Sequence, residues 1–152
     1  MSLPASSAEP TSGAELSPRR RARLIRRLRS TRAALAEWSD SLQSLTAEHT
    51  HVPSETRSLL ALLDETKAHL DLRLQQLGDA AAVEAGVRTR RKVTTSTAGF
   101  CLRACRACGK ALGAAFRDAQ AVADAATARI LYGSLRAIEK QLWLLDPLRA
   151  GR

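Results

Sequence analysis

The stretch DAATARILYGSLRAIEKQLWLLDPL, residues 124–148, decides the architecture. Leu131, Leu135, Ile138, Leu142 and Leu145 recur in it with alternating spacings of four and three, which lays one apolar seam along a single helical face. A helix of this length cannot bury such a seam alone. Partner helices have to come from the remainder of the chain.

The composition agrees with helices. Hydrophobic residues make up 45% of the 152 positions but aromatics only 3%, so the core has to be built from Leu, Ala, Val and Ile. Ala, Leu, Arg and Glu favour helices, whereas the aromatic residues that suit a sheet are scarce. The length fits one domain. A net charge of +9 and a pI near 10.7 point to a polyanionic partner, nucleic acid or an acidic membrane surface, against the plain alternative of a solvated basic surface. No apolar run is long enough to span a membrane, and the N-terminus lacks the apolar centre of a secretory signal. The Arg- and Ser-rich start is like an organelle transit peptide, but Glu9 and Glu15 count against that. Three cysteines within eight residues do not make a disulfide framework, which favours a reducing, cytoplasmic setting.

Residues 1–17 mix Ser, Ala, Pro and Gly without periodicity and read as a tail, leaving residues 18–149 as the bundle domain. Ser17-Pro18 sets an N-cap with Pro at the first helical position. RRRARLIRRLRSTR, residues 19–32, follows with eight arginines and no acid. Leu24, Leu28, Leu35, Trp38, Leu42 and Leu45 carry the helix on to about His51, where Pro53 disfavours continuation. A second helix opens at Pro53 or Ser54, carries Leu59, Leu60, Leu63, Leu70, Leu74 and Leu77, and closes at Gly78. The short hinge predicts antiparallel neighbours. Residues 79–96 show no clear seam; a connection of that length can run from one end of a bundle to the other, which predicts that the second and third helices are parallel. The third helix, about Thr97 to Gln120, has a seam of small residues through Cys101, Cys105, Cys108, Leu112, Ala115 and Ala119 that Val122 extends, with Trp38 and Trp143 expected to fill the space opposite. Gly109 either lies within it or breaks it.

The last helix resembles the terminal helix of the Dps family, the ferritin-like DNA-protection proteins of bacteria. The resemblance rests on Asp124, Thr127, Ala128, Leu131, Glu139, Lys140, Trp143 and Leu145, with Leu62 to Glu65 (LLDE) and Leu77-Gly78 in the second helix. It extends over the chain from about His49 onward. It implies an all-α, ferritin-like four-helix bundle with a long crossover between helices 2 and 3, a homo-oligomer, iron oxidation between subunits, and non-specific DNA binding by a basic tail in the nucleoid.

The residues support these implications unevenly. In the family pattern a first-helix His faces a group written H-x-x-x-D-E; Asp64 and Glu65 match the acids and His49 or His51 the His, but Leu60 stands where the second His belongs. The iron site reads as degenerate, with His49, His51 and His69 as ordinary polar histidines. Cys101, Cys105 and Cys108 share a helical face, which suits copper(I), zinc or plain packing as small hydrophobes. Neither a nucleophile elbow nor a phosphate-cradling glycine loop occurs. The basic run is the strongest functional signal: Arg19, Arg20, Arg21, Arg23, Arg26, Arg27 and Arg29, with a second cluster at Arg88, Arg90, Arg91 and Lys92. Guanidinium groups hold phosphate by charge and forked hydrogen bonds without reading sequence. The expectation is a non-enzymatic, DNA-protecting bundle, with iron-binding ferroxidase or Cys-based metal handling as the alternative.

Overall fold

The computed structural model describes residues 16–79 and 96–146. They form four α-helices: α1 Pro18–Ala47, α2 Ser54–Gln76, α3 Thr97–Ala121 and α4 Ala125–Leu145. Among the described residues there is no strand, and no helix is long and apolar enough to cross a membrane.

Local chemistry sets each boundary. Ser17 Oγ accepts the Arg20 N–H at 3.3 Å and Pro18 fills the first turn. Leu16, just ahead of the helix, packs partly buried against the core. The first helix stops at Ala47, short of the expected His51, because the His49 ring turns back to donate from Nδ1 to the Leu45 carbonyl at 2.7 Å. At the end of α2, Gly78 takes φ 85°, with Gly78 N–H donating to Gln75 and Asp79 N–H to Leu74. Ala123 repeats this motif after α3 at φ 58°, a conformation that costs a residue with a Cβ. The third helix runs unbroken through Gly109, where an added Cβ would meet Ile138 Cγ2 at 3.5 Å. Small residues there let α3 and α4 pack closely.

Cross-helix contacts fix the directions. Arg32 meets Asp71 and Ser39 meets Asp64, so α1 and α2 are antiparallel. Arg27 meets Asp118 while Trp38 lies 5.3 Å from Phe100, so α1 and α3 are antiparallel too. Phe116 against Tyr132, with Gly109 against Ile138, makes α3 and α4 a hairpin. Thr56 near the start of α2 touches Cys101 near the start of α3, so these two helices run the same way. Asp79 and Ser96 therefore sit at opposite ends of a bundle whose α2, at 23 residues, is ~35 Å long. The expected crossing by residues 79–96 falls almost wholly outside the described residues.

Of the expected core, Leu35, Trp38, Leu42, Leu63, Leu70, Leu112 and Ile138 are buried, while Leu135 and Leu142 pack partly exposed against it. Trp143 is a correction. It is 57% exposed, because five residues beyond Ile138 turn it to the far side of α4. The space beside the small seam is taken by Trp38 and the fully buried Phe100.

Candidate nucleic-acid interface

The basic run occupies the first four turns of α1, and Leu24, Leu28 and Thr31 are its buried face. Its arginines divide into two groups. Arg23 and Arg27 reach across to Asp118 on α3, at 3.4 and 2.7 Å, and Arg29 forks onto Asp79 beyond α2. Arg32 holds Asp71 on α2 through Nε and Nη2 at 2.7 and 3.2 Å. The Arg27 hydrogen bond is the main reason the Asp118 carboxyl lies below its ordinary pKa; partial burial opposes it, and the charges of Arg27 and Arg23 add to it. These arginines brace the helix packing and have part of their charge neutralised. Arg19, Arg20, Arg21 and Arg26 are exposed, and among the described residues none of them is in an ion pair. Arg90, Arg91 and Lys92, like Arg88, lie outside the described residues.

A second carboxylate clamp starts α4. Asp124 accepts from Thr127 N–H at 3.3 Å and Thr127 Oγ1 at 2.6 Å, and Arg73 of α2 donates to both its oxygens at 3.0 and 2.9 Å. Arg73 Nε also donates to Thr127 Oγ1 at 2.8 Å. Burial pushes the Asp124 pKa up, but the Thr127 and Arg73 hydrogen bonds outweigh it and leave the carboxyl below its ordinary value. Two residues of the D-x-x-T-A run thus act locally, capping α4 and tying it to α2.

The candidate metal residues are spread apart. His49 is held to Leu45, and with His51 it borders a cavity of about 10 Å³ at the hinge, next to Val52, Pro53 and Thr97. Asp64 accepts from Ser39 at 3.0 Å and pairs with Lys67 at 2.9 Å. Glu65 faces a different space, an open groove of about 300 Å³ between α2 and α4 shared with His69, Arg129 and Gly133. Cys101, Cys105 and Cys108 do share one buried face of α3. Burial raises the Cys101 thiol pKa, against a hydrogen bond from Thr56 and with a smaller push from Glu55. Burial and the neighbouring Cys101 push Cys105 up to about 12. Both shifts disfavour the thiolate that metal ligation and nucleophilic attack need. Among the described residues, no three His, Cys, Asp or Glu side chains are grouped to hold a metal ion.

No family model, curated protein or solved structure matches the chain. The functional reading therefore rests on these residues. One basic feature is absent from the N-terminal run: Arg103, Arg106, Lys110 and Arg117 lie exposed along the outer face of α3. Their spacings of three, four and seven are a sufficient signal in the sequence, but the denser run in α1 overshadows them there.

Proposed function

We propose that this protein is a Dps-like, ferritin-like bundle that assembles with copies of itself and associates with DNA without sequence preference, protecting or compacting it in the cytoplasm of a bacterium. The observation that carries the reading is the split in the arginine run. Arg23, Arg27, Arg29 and Arg32 are engaged with Asp118, Asp79 and Asp71, while Arg19, Arg20, Arg21 and Arg26 stand exposed beside them without an acid among the described residues. A cationic cluster on a braced helix holds phosphate through charge and needs no base contact. The parallel course of α2 and α3 within two hairpins supports the ferritin-like part, since that arrangement requires one long crossover. Copies displayed on an oligomer add by avidity.

The test combines solution mass with DNA binding of the full chain at two salt concentrations. The reading expects an assembly much larger than the 16.4 kDa chain, and duplex binding that weakens roughly a thousandfold between ~50 and ~200 mM salt for about six phosphate contacts. A monomer without DNA affinity at low salt refutes it. Rapid iron(II) oxidation lost in Asp64→Ala or Glu65→Ala would transfer the protein to the ferroxidase alternative.

A further inference from the structure

The outer face of the α3–α4 hairpin is a second basic surface among the described residues. Asp118 is the only acid in α3, and it points at α1, where Arg23 and Arg27 consume it. The face of α3 turned away from its buried seam carries Arg103, Arg106, Lys110 and Arg117, all exposed and none in an ion pair among the described residues. From Arg103 to Arg117 this row covers ~21 Å of helix. Beside it, Tyr132, Arg136 and Trp143 form an exposed row on α4, with spacings of four and seven. Tyr132 marks where the rows meet, since its ring lies 6.0 Å from Phe116 of α3 and is still 53% exposed. Arg117 folds back over Gly113, its Nη1 3.7 Å from where a Cβ would stand. Glu139, bonded to Arg136 at 3.3 Å, is the one acid near the middle of the α4 row.

We propose that this face is a second nucleic-acid surface, one that binds single strands by combining phosphate contacts along α3 with base stacking on Trp143 and Tyr132. The ligand class follows from the pairing of residue types. A duplex presents phosphate but hides the faces of its bases, so exposed rings add nothing to duplex binding; an unpaired strand offers both. The inference rests on the nucleic-acid reading for its ligand class alone, and uses none of the α1 arginines.

Tryptophan fluorescence reads the surface directly, because Trp38 is only 5% exposed and Trp143 is the one tryptophan ring open to a quencher. The full chain is titrated with oligo-dT of about twenty nucleotides, a duplex of the same length, and vesicles containing phosphatidylserine. Oligo-dT is expected to quench the emission of the wild-type chain. Trp143→Leu removes the reporter, so its binding is read by the anisotropy of labelled strands, and it should weaken oligo-dT binding about tenfold at unchanged duplex affinity. Replacing Arg103, Arg106, Lys110 and Arg117 together by Gln should lower the oligo-dT salt slope by about three, with circular dichroism confirming that the helices remain. The variant with Arg19, Arg20, Arg21 and Arg26 changed to Gln should lose duplex affinity and keep the quenching. Duplex binding without oligo-dT quenching overturns this proposal and spares the α1 reading; loss of both overturns both. Quenching by vesicles but not by oligo-dT makes the face a membrane surface and also overturns it.

Discussion

The two ends of the bundle share an apolar core but differ in what surrounds it. Where α1 begins and α2 and α3 stop, charged pairs cross three helix gaps: Arg27 to Asp118, Arg32 to Asp71 and Arg73 to Asp124. At the other end Trp38, Phe100, Cys101 and Leu59 fill the interior with apolar atoms. The comparison teaches how to value an arginine. A half-exposed pair such as Arg23–Asp118 contributes well under 1 kcal/mol and chiefly fixes register, whereas the enclosed Asp124 clamp costs far more to break. Apolar packing supplies the stability of the far end.

That contrast predicts a graded series. The largest loss belongs to the apolar end: Phe100→Ala should cost ~3–5 kcal/mol in urea unfolding, from transfer free energy plus the cavity left behind. A cost below about 1 kcal/mol would mean that this end is loosely packed. At the charged end, Asp124→Ala should cost about 3 kcal/mol, since it removes a cap and strands Arg73. Arg23→Gln should cost less than about 0.5 kcal/mol. Equal losses at the two arginine-bearing sites would erase the distinction.

The pH dependence separates the same two ends. The Asp118 and Asp124 carboxyls are more acidic folded than unfolded, so their contribution is complete above the unfolded value near ~3.9 and is lost as pH falls through the lower folded values. Thermal melts should therefore drop below about pH 4, less steeply in Asp124→Asn than in wild type. The thiols act with opposite sign. Cys105 is raised from 9.0 to about 12 in the folded chain, so folding is favoured below 9 and loses this contribution as pH climbs toward about 12. Cys105→Ala should flatten that alkaline limb. An identical limb in the variant would show that the thiol titrates normally and is open to solvent.

The smallest effect in the series is a gain. Ala123 sits at φ 58° where Gly78 does the equivalent work for α2, so Ala123→Gly should stabilise by ~0.5–1 kcal/mol in the same unfolding assay. A loss would indicate that the extra backbone freedom of glycine outweighs the relief of strain.

How much of this is legible in sequence depends on whether a feature is periodic. Seams of Leu residues mark α1, α2 and α4 and a seam of small residues marks α3, while Ser17-Pro18, Pro53 and Gly78 mark helix ends, because periodicity and capping are local properties. The end of α1 falls earlier than Pro53 suggests, since the His49 ring satisfying the Leu45 carbonyl has no signature in a spacing rule. A large ring such as Trp143 invites a place in the core, although its offset from Ile138 puts it on the far face. The division of the arginines is illegible, because Asp118 is 91 residues from Arg27 and nothing local announces their meeting. The candidate metal residues look like ligands one at a time; only the fold shows Asp64 turned to Ser39 and Lys67 while Glu65 faces another groove.

The central claim is that the arginines of α1 are of two kinds, and the salt dependence of duplex affinity in two matched variants tests it most directly. Changing Arg19, Arg20, Arg21 and Arg26 to Gln should lower the slope of log affinity against log salt by about four, with the melting temperature unchanged. Changing Arg23, Arg27, Arg29 and Arg32 to Gln should lower the melting temperature and shift the slope by about one or less, as these charges are already spent on Asp118, Asp79 and Asp71. Equal slopes in the two variants, or a slope that stays at the wild-type value in the first, would contradict the account.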